Sequence, residues 1–314
     1  MESTRISVLQ TLAWFDIFDF PLTGEELYKH LWQGNNSSYV DFLEVLDEME
    51  SEKKIKRVHG YYTPVDRIGL VEKRNRSIAL IEQKMQIAKR AAKAICWIPF
   101  VEAIFLCNTV AFGWPKKESD IDFFIVIRKG RLWLTRFLVT VVLSVRGLRR
   151  NKKSIKDKIC LSFYVTDDAL NIKDIALDDQ DIYLVYWLRF LVPLYISEDG
   201  IDAPLYANFW ISYFIPHIDE VNTLHRYIAM HGKIGSLFKR MHTKLWGGSY
   251  GDLLEAQAKK IQQIKMKRNI ESVQNIGDNR VVISDQRLKF HENDRRALYK
   301  QMWTERYKSI ISSL

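Results

Sequence analysis

The sequence predicts a mixed protein of the α+β or α/β class, with a strand-bearing core set between two largely helical regions. Three observations predict it. Between Val101 and Val165 the chain reads strand, turn, strand, helix, strand, a series that argues an α/β core. Helical periodicity dominates before Trp97 and again after Asp168. The charge is also unevenly divided: the net value is +9 over 314 residues, yet residues 1–66 carry −6 and residues 67–314 carry +15. Together these divide the chain into regions 1–66, 67–170 and 171–314.

Composition sets the outer bounds. The chain is 47% hydrophobic and 27% charged, which supplies an ordinary core and argues against a disordered or fibrous protein. The most membrane-like stretch, Leu132 to Val145, carries Arg136 and Ser144 and falls short of the roughly 20 apolar residues a span needs. A second, Ile182 to Ile196, is interrupted by Arg189 and Pro193. No transmembrane segment is therefore expected. Cys96, Cys107 and Cys160 form no closely spaced pair, and an odd count without a secretory pattern points to a reducing, cytoplasmic setting.

The elements follow in order. Ser7 to Phe18 reads as an apolar-rich helix, and Thr23 with Glu26 forms a capping box for a second helix running through Trp32. Ser37 or Ser38 caps a third, with Val40, Leu43, Leu46 and Met49 on one face. Ile55 to Val58 and Tyr61 to Val65, joined at His59-Gly60, make a hairpin. This order resembles a winged-helix module. Such modules often lay the third helix in the major groove of DNA. Here that helix carries Asp41, Glu44, Asp47, Glu48 and Glu50 with no Lys or Arg before Lys53, so duplex DNA would repel it. A packing or protein-interaction role is expected instead, and a homo-oligomer stays open.

Ser77 to Trp97 is an amphipathic helix, Val101 to Cys107 a buried strand, Ile121 to Ile127 a second strand, Leu132 to Val145 a helix and Ile159 to Val165 a third strand. Beyond Asp168 helices are expected at Ile182–Tyr195, Tyr206–Phe214, Val221–Met230, Ile234–Leu245, Leu253–Asn269 and Asp294–Ile311, with Arg280 to Ile283 as one strand among them.

Chemistry concentrates in Asn108 to Val126. Asp120 and Asp122 stand two apart at the start of a strand, so their carboxylates share a face. Two acids so placed repel unless a proton or cation lies between them, and they suit Mg²⁺, which takes one or two carboxylates plus phosphate oxygens. The upstream turn contains a small polar residue and a glycine, leaving backbone N–H groups for phosphate, with Lys116 and Lys117 nearby.

This segment resembles the nucleotidyltransferase superfamily of DNA polymerase beta and kanamycin nucleotidyltransferase. Thr109 stands at the signature serine, Ala111 at its alanine, Gly113 at its last glycine, and Asp120 and Asp122 at its metal-binding acids, with Ser119 just before them. Asn108 replaces the first glycine and is a residue that tolerates left-handed backbone. The detailed match covers about twenty residues, and the element order extends it loosely over Ser77 to Asp168.

The resemblance implies a nucleotidyltransferase-fold core at 67–170 with the winged-helix-like module before it and a helical region after it. It implies Mg²⁺ on Asp120 and Asp122, a nucleoside triphosphate oriented by Asn108, Thr109, Gly113 and Ser119, and transfer of the nucleoside monophosphate to a hydroxyl. The acceptor is a small molecule, a protein side chain or RNA. Family enzymes place a third carboxylate on a neighbouring strand, but Ile159 to Val165 offers Cys160, Ser162 and Tyr164 instead. Asp157, Asp167 and Asp168 flank that strand as substitutes. The alternative is a degenerate relative that binds nucleotide, RNA or a partner protein without transfer.

Other features have plainer readings. The basic run Arg146 to Lys158 reads as a solvated loop, with nucleic acid or an anionic membrane as the other uses. Lys259, Lys260, Lys265, Lys267 and Arg268 form the wet face of a helix; His291 has no second His or Cys nearby, and helix capping by Asn293 or Asp294 is the plainer account of its segment. The aromatic residues of Tyr183 to Tyr213 read as helical core.

Overall fold

The computed structural model describes residues 2–35, 37–67, 69–197, 204–217, 227–230, 232–267, 280–291 and 294–312. It begins with α1 (Glu2–Asp16), β1 (Leu22–Thr23), α2 (Gly24–Lys29), α3 (Tyr39–Ser51), β2 (Lys56–Val58) and β3 (Tyr61–Thr63). Both expected caps form. Thr23 and Glu26 close a reciprocal box on α2, and Ser38 does the same with Asp41 on α3, each satisfying two orphan N–H groups. The three short strands make an antiparallel sheet in the order β1, β3, β2. The acidic outer side of α3 is answered from α1, where Arg5 meets Glu48 and Glu52 at 2.7 Å each.

The core follows: α4 (Leu70–Ile95), β4 (Val101–Cys107), a single turn α5 (Asn108–Phe112), β5 (Ile121–Ile127), α6 (Leu132–Val145) and β6 (Ile159–Thr166). Next come α7 (Ile182–Arg189), β7 (Val192–Ile196), α8 (Pro204–Ala207), α9 (Lys233–Leu245), α10 (Ser249–Lys267), β8 (Val281–Ile283), β9 (Arg287–Phe290) and α11 (Arg296–Ser312). Six strands form one mixed sheet in the order β7, β4, β5, β6, β9, β8. Only β5 and β6 run parallel, as expected of strands joined across α6; the other pairs are antiparallel.

Three expectations for the last region are corrected. The helix expected through Tyr195 stops at Arg189, and Val192–Ile196 pairs with β4 instead. Pro193 is the physical reason: its ring breaks a helix and donates no hydrogen bond, which only an edge strand such as β7 accommodates. The helix expected over Tyr206–Phe214 is replaced by α8 and a 3₁₀ turn at Phe209–Tyr213. Between them the buried Asn208 side chain accepts from Ile172 N–H at 2.9 Å and donates to Leu170 O and Pro204 O, competing with the helical ladder. A strand not anticipated, β9, joins β6 to β8. The expected helix over Val221–Met230 lies largely outside the described residues, as do Arg268 and Asn269 at the end of the expected Leu253–Asn269 helix.

Alternation along the central strands sends side chains to two cores. Phe105, Phe124 and Phe163 join α1, α7 and the first region on one face. Ile104, Phe123 and Ile125 join α4 and α6 on the other. Covered on both sides, β5 reads as a continuous apolar run. The C-terminal helix returns to the first one, with Trp303 Nε1 donating to Gln10 O at 2.9 Å. Among the described residues no helix is long and apolar enough to cross a membrane.

Candidate functional site

Sheet register assembles the site. Cys107, the last residue of β4, lies opposite Asp122 on β5, and Asp122 lies beside Cys160 on β6. Asp122 thus sits between two thiols in adjacent strands. Asp120 enters just before β5, and the ligand atoms of Asp120, Asp122 and Cys160 all fall within 4.8 Å of one another. The two carboxylates converge as their spacing predicts. Asn108 adopts φ 58° and Gly113 φ 90°, so the chain leaves β4 and closes α5 through two left-handed positions, the first at the asparagine that replaces a glycine. Behind the acids, the fully buried Lys84 of α4 fixes the approach loop. Its ammonium donates to Ser119 O at 2.7 Å and pairs with Asp157 at 2.8 Å.

Burial first, and then the charge of Asp120, push the Asp122 carboxyl up to about 7. The side chains of Asn108 and Cys160 and the charge of Arg150 favour its ionised form without offsetting those effects. Arg150 supplies the cation that is present: its Nη1 lies 2.6 Å from Asp120 Oδ2 and 3.6 Å from Cys160 Sγ. Burial, followed by the charges of Asp122 and Asp120, raises the Cys160 thiol far above its ordinary range. It therefore stays protonated at neutral pH.

Asp122 opens into a cavity of about 570 Å³. One wall carries Asn108, Asp122, Cys160 and Ser162; the others come from α7, through Tyr183 and Trp187, and from β9 and α11 with His291, Asp294 and Arg295. Trp187 Nε1 donates to Asn108 Oδ1 at 2.8 Å, tying α7 to the left-handed turn. Lys289 and Arg296 bring positive charge to the far side. Both are anchored by acids, Lys289 to Asp294 at 3.3 Å and Arg296 to Asp181 at 2.9 Å. Burial, then Arg296, lowers the Lys289 ammonium to about 8. His291 lies 3.1 Å from Ser162 Oγ, and burial followed by Lys289 lowers its imidazole to about 4, so it is neutral under ordinary conditions.

The expected residues divide. Asn108 and Asp122 line the cavity, and Asp120 stands beside Asp122 without lining it. Thr109, Gly113 and Ser119 are not among its lining residues. The Thr109 carbonyl accepts from Trp114 N–H at 3.0 Å, and Ser119 is committed to its own turn through Lys116 O at 2.9 Å. Gly113 faces the first region, where an added Cβ would stand 3.2 Å from the Phe20 ring. The adjoining Trp114 is stacked between Phe18 and Phe112, with ring centroids 4.5 and 4.6 Å away. The flanking acids do not join the pair. Asp157 holds Lys84, Asp167 accepts from Lys129 N–H at 2.9 Å, and Asp168 pairs with Lys129. Among the described residues the one further ligand-type group at the pair is Cys160.

Sequence reading missed Arg150, which sat inside a run taken as a solvated loop, and Lys289, Arg296 and Tyr299, which reach the cavity only through a long return of the chain. A signal existed for Arg150, which stands shortly before the strand that flanks Asp122. None existed for the others, since β9 was not legible.

Donor chemistry decides whether a cation suits the pair. Two carboxylates this close, one already raised by the other's charge, suit a hard divalent ion with oxygen ligands. The Cys160 sulfur is a soft donor held as thiol and adds nothing to Mg²⁺. The residues present therefore fit Mg²⁺ through Asp120 and Asp122 alone. Comparison with family models, curated proteins and solved structures finds no match to this chain.

Proposed function

We propose that the cavity binds a nucleoside triphosphate with Mg²⁺ on Asp120 and Asp122, and that the protein is a nucleotidyltransferase passing the nucleoside monophosphate to a hydroxyl acceptor. The observation that carries this reading is the convergence of Asp120 on Asp122, which lines a cavity together with Arg150, Lys289 and Arg296. The order of elements supports it as well: strand, left-handed turn, acid-bearing strand, helix and parallel strand follow the pattern that the resemblance implies.

Bound there, Mg²⁺ would neutralise charge developing on the leaving pyrophosphate. The chain's own residues do the placing. Asp120 and Asp122 would hold the Mg²⁺ that meets the reacting end of the phosphate chain. Arg150, Lys289 and Arg296 draw and orient the phosphates by charge. Asn108, held by Trp187, keeps the turn beside Asp122 in one conformation. Tyr183 and Trp187 offer flat apolar surface for a base or acceptor. Catalysis of this kind rests on position and charge stabilisation.

A second reading, nucleotide binding without transfer, is favoured by one observation. The neighbouring-strand position beside Asp122 is Cys160, a protonated thiol where a carboxylate would take the acceptor proton. One experiment separates the two. Purified protein is incubated with labelled nucleoside triphosphates, Mg²⁺ and candidate small-molecule, protein and RNA acceptors, while binding is followed by calorimetry. Label transfer or pyrophosphate release that vanishes in Asp120→Ala and Asp122→Ala supports transfer. Binding lost in those variants with no turnover by the parent supports the second reading. Binding unaffected by either substitution refutes both.

A further inference from the structure

We propose that α9 is an interfacial helix that docks this protein on an anionic lipid surface. The inference is independent of the cavity and rests on how the helix is mounted. None of the 13 residues of α9 is buried, although its sequence is strongly amphipathic. Ile234, Leu237, Met241 and Leu245 are 87, 62, 56 and 59% exposed. At about 3.6 residues per turn they fall within an arc of roughly 80°, so they form a single outward stripe.

The inner side explains why the stripe faces out. Lys239 donates to Val101 O at 2.6 Å and to Tyr195 Oη at 2.8 Å. Phe238 packs edge-on to Trp97 at 5.1 Å, and Arg131 Nε holds the carbonyl of Trp246 at 2.9 Å. These contacts fix the rotation of α9 about its own axis and leave the four apolar side chains in water.

Charge complementarity selects the occupant. Lys233, Arg240 and Lys244 are exposed and lie in a row along the outer flank of the stripe, within an arc of about 40° by the same helical geometry. The helix contains no Asp or Glu, and none of these three cations pairs with an acid among the described residues. A narrow apolar stripe flanked by basic residues is the pattern of a helix lying in the plane of a bilayer, its apolar side in the acyl boundary and its cations at anionic headgroups. A second copy meeting the same face would bring like-charged rows together. Nucleic acid would use the cations but leave the stripe in water.

The test is flotation of the full chain with vesicles of phosphatidylcholine alone and of phosphatidylcholine with phosphatidylserine. The parent should float with the anionic vesicles and not with the neutral ones. Binding should fall roughly tenfold or more in Leu237→Glu/Met241→Glu and in Lys233→Gln/Arg240→Gln/Lys244→Gln. All five positions are exposed, so circular dichroism and melting should match the parent. The charge variant leaves the apolar stripe intact should the other lose stability. Failure of the parent to bind anionic vesicles, or equal binding by the parent and both variants, overturns the proposal. So does a dimer in solution that Leu237→Glu/Met241→Glu dissolves in the absence of vesicle binding, or RNA retention that the charge variant alone abolishes.

Discussion

Replacing Lys84 with methionine should cost about 2–4 kcal/mol and loosen the acid pair without touching it. The Lys84 ammonium is fully buried and makes two short contacts, 2.7 Å to Ser119 O and 2.8 Å to Asp157 Oδ1. Charge-assisted hydrogen bonds of this kind are worth about 1.5–3 kcal/mol each, and removing one partner of a buried ion pair costs about 3–5 kcal/mol. Two effects reduce that figure. Asp157 retains 23% exposure of its side chain and regains water, and methionine no longer carries a charge that must be kept out of solvent. The approach loop keeps two other ties to the segment leading into β6, Asp157 N–H to Ser119 O at 3.2 Å and Ile121 N–H to Lys158 O at 2.9 Å, so the sheet should survive. Urea unfolding followed by circular dichroism measures the loss, and the double variant Lys84→Met/Asp157→Asn should recover about half of it by removing the unpaired carboxylate. Because Ser119 precedes Asp120 directly, Mg²⁺ affinity by calorimetry should also weaken, by about tenfold for each 1.4 kcal/mol of lost positioning. A stability change below about 1 kcal/mol, or no recovery in the double variant, would refute the view that Lys84 clamps this loop.

Three further outcomes follow from the geometry. His291 has its folded-state pKa lowered to about 4, so stability present above its ordinary value near 6.5 is lost as pH falls through that window. His291→Gln should remove about 2–3 kcal/mol of this acid sensitivity, read as the difference in urea midpoints between about pH 7 and pH 4, and equal slopes for parent and variant would contradict it. Asp122 is raised to about 7, the opposite case: stability present below its ordinary value of about 4 is lost as pH rises to about 7 and stays lost above it. Asp122→Asn should therefore be more stable than the parent by about 2–4 kcal/mol near pH 8 and equal to it near pH 4, with Mg²⁺ narrowing the gap; greater stability of the parent near pH 8 without metal would count against it. Gly113→Ala places a Cβ at φ 90° and 3.2 Å from Phe20 and should cost about 1–3 kcal/mol in thermal melts, whereas an unchanged midpoint would show that the joint to the first region yields freely.

The parts of the fold written in local pattern were legible. Thr23 with Glu26, and Ser37 or Ser38 before the third helix, announced caps, which form at Thr23 and Ser38, and Ile121 to Ile127 read as a strand from its own apolar run. Where tertiary pairing overrides local preference, the reading failed. Val192 to Ile196 continues an apolar helix in sequence but pairs with β4, and only Pro193 hinted at it. Arg287 to Phe290 alternates charge with hydrophobicity as an exposed segment would, yet Arg287 and Lys289 are buried, Arg287 against Asp174 from a distant part of the chain and Lys289 against Asp294 just after the strand. The acid pair was visible because its geometry is set by a spacing of two residues. Its surroundings were not, since the cavity walls come from α7 and α11.

The contrast between the two acids and their neighbours bears on what the site is for. Asp122 lies in a strand whose other six residues are apolar and buried, between two thiols, where an uncharged residue of similar size would leave the fold more stable at neutral pH. Arg150 answers Asp120 by a short contact, yet Asp122 stays raised, so one guanidinium does not satisfy both carboxylates. The remaining unfavourable charge is relieved by a proton or by a second cation. Only the second couples the stability of the sheet to the contents of the cavity, because a divalent ion at this spot has oxygen ligands to fill from whatever lies there. If Mg²⁺ and a triphosphate are that pair, each should tighten the other's binding by the same factor. Calorimetric titration of nucleotide with and without Mg²⁺, and of Mg²⁺ with and without nucleotide, measures both sides of that equality. Independent binding of the two would show that the acids and the cavity serve different ends.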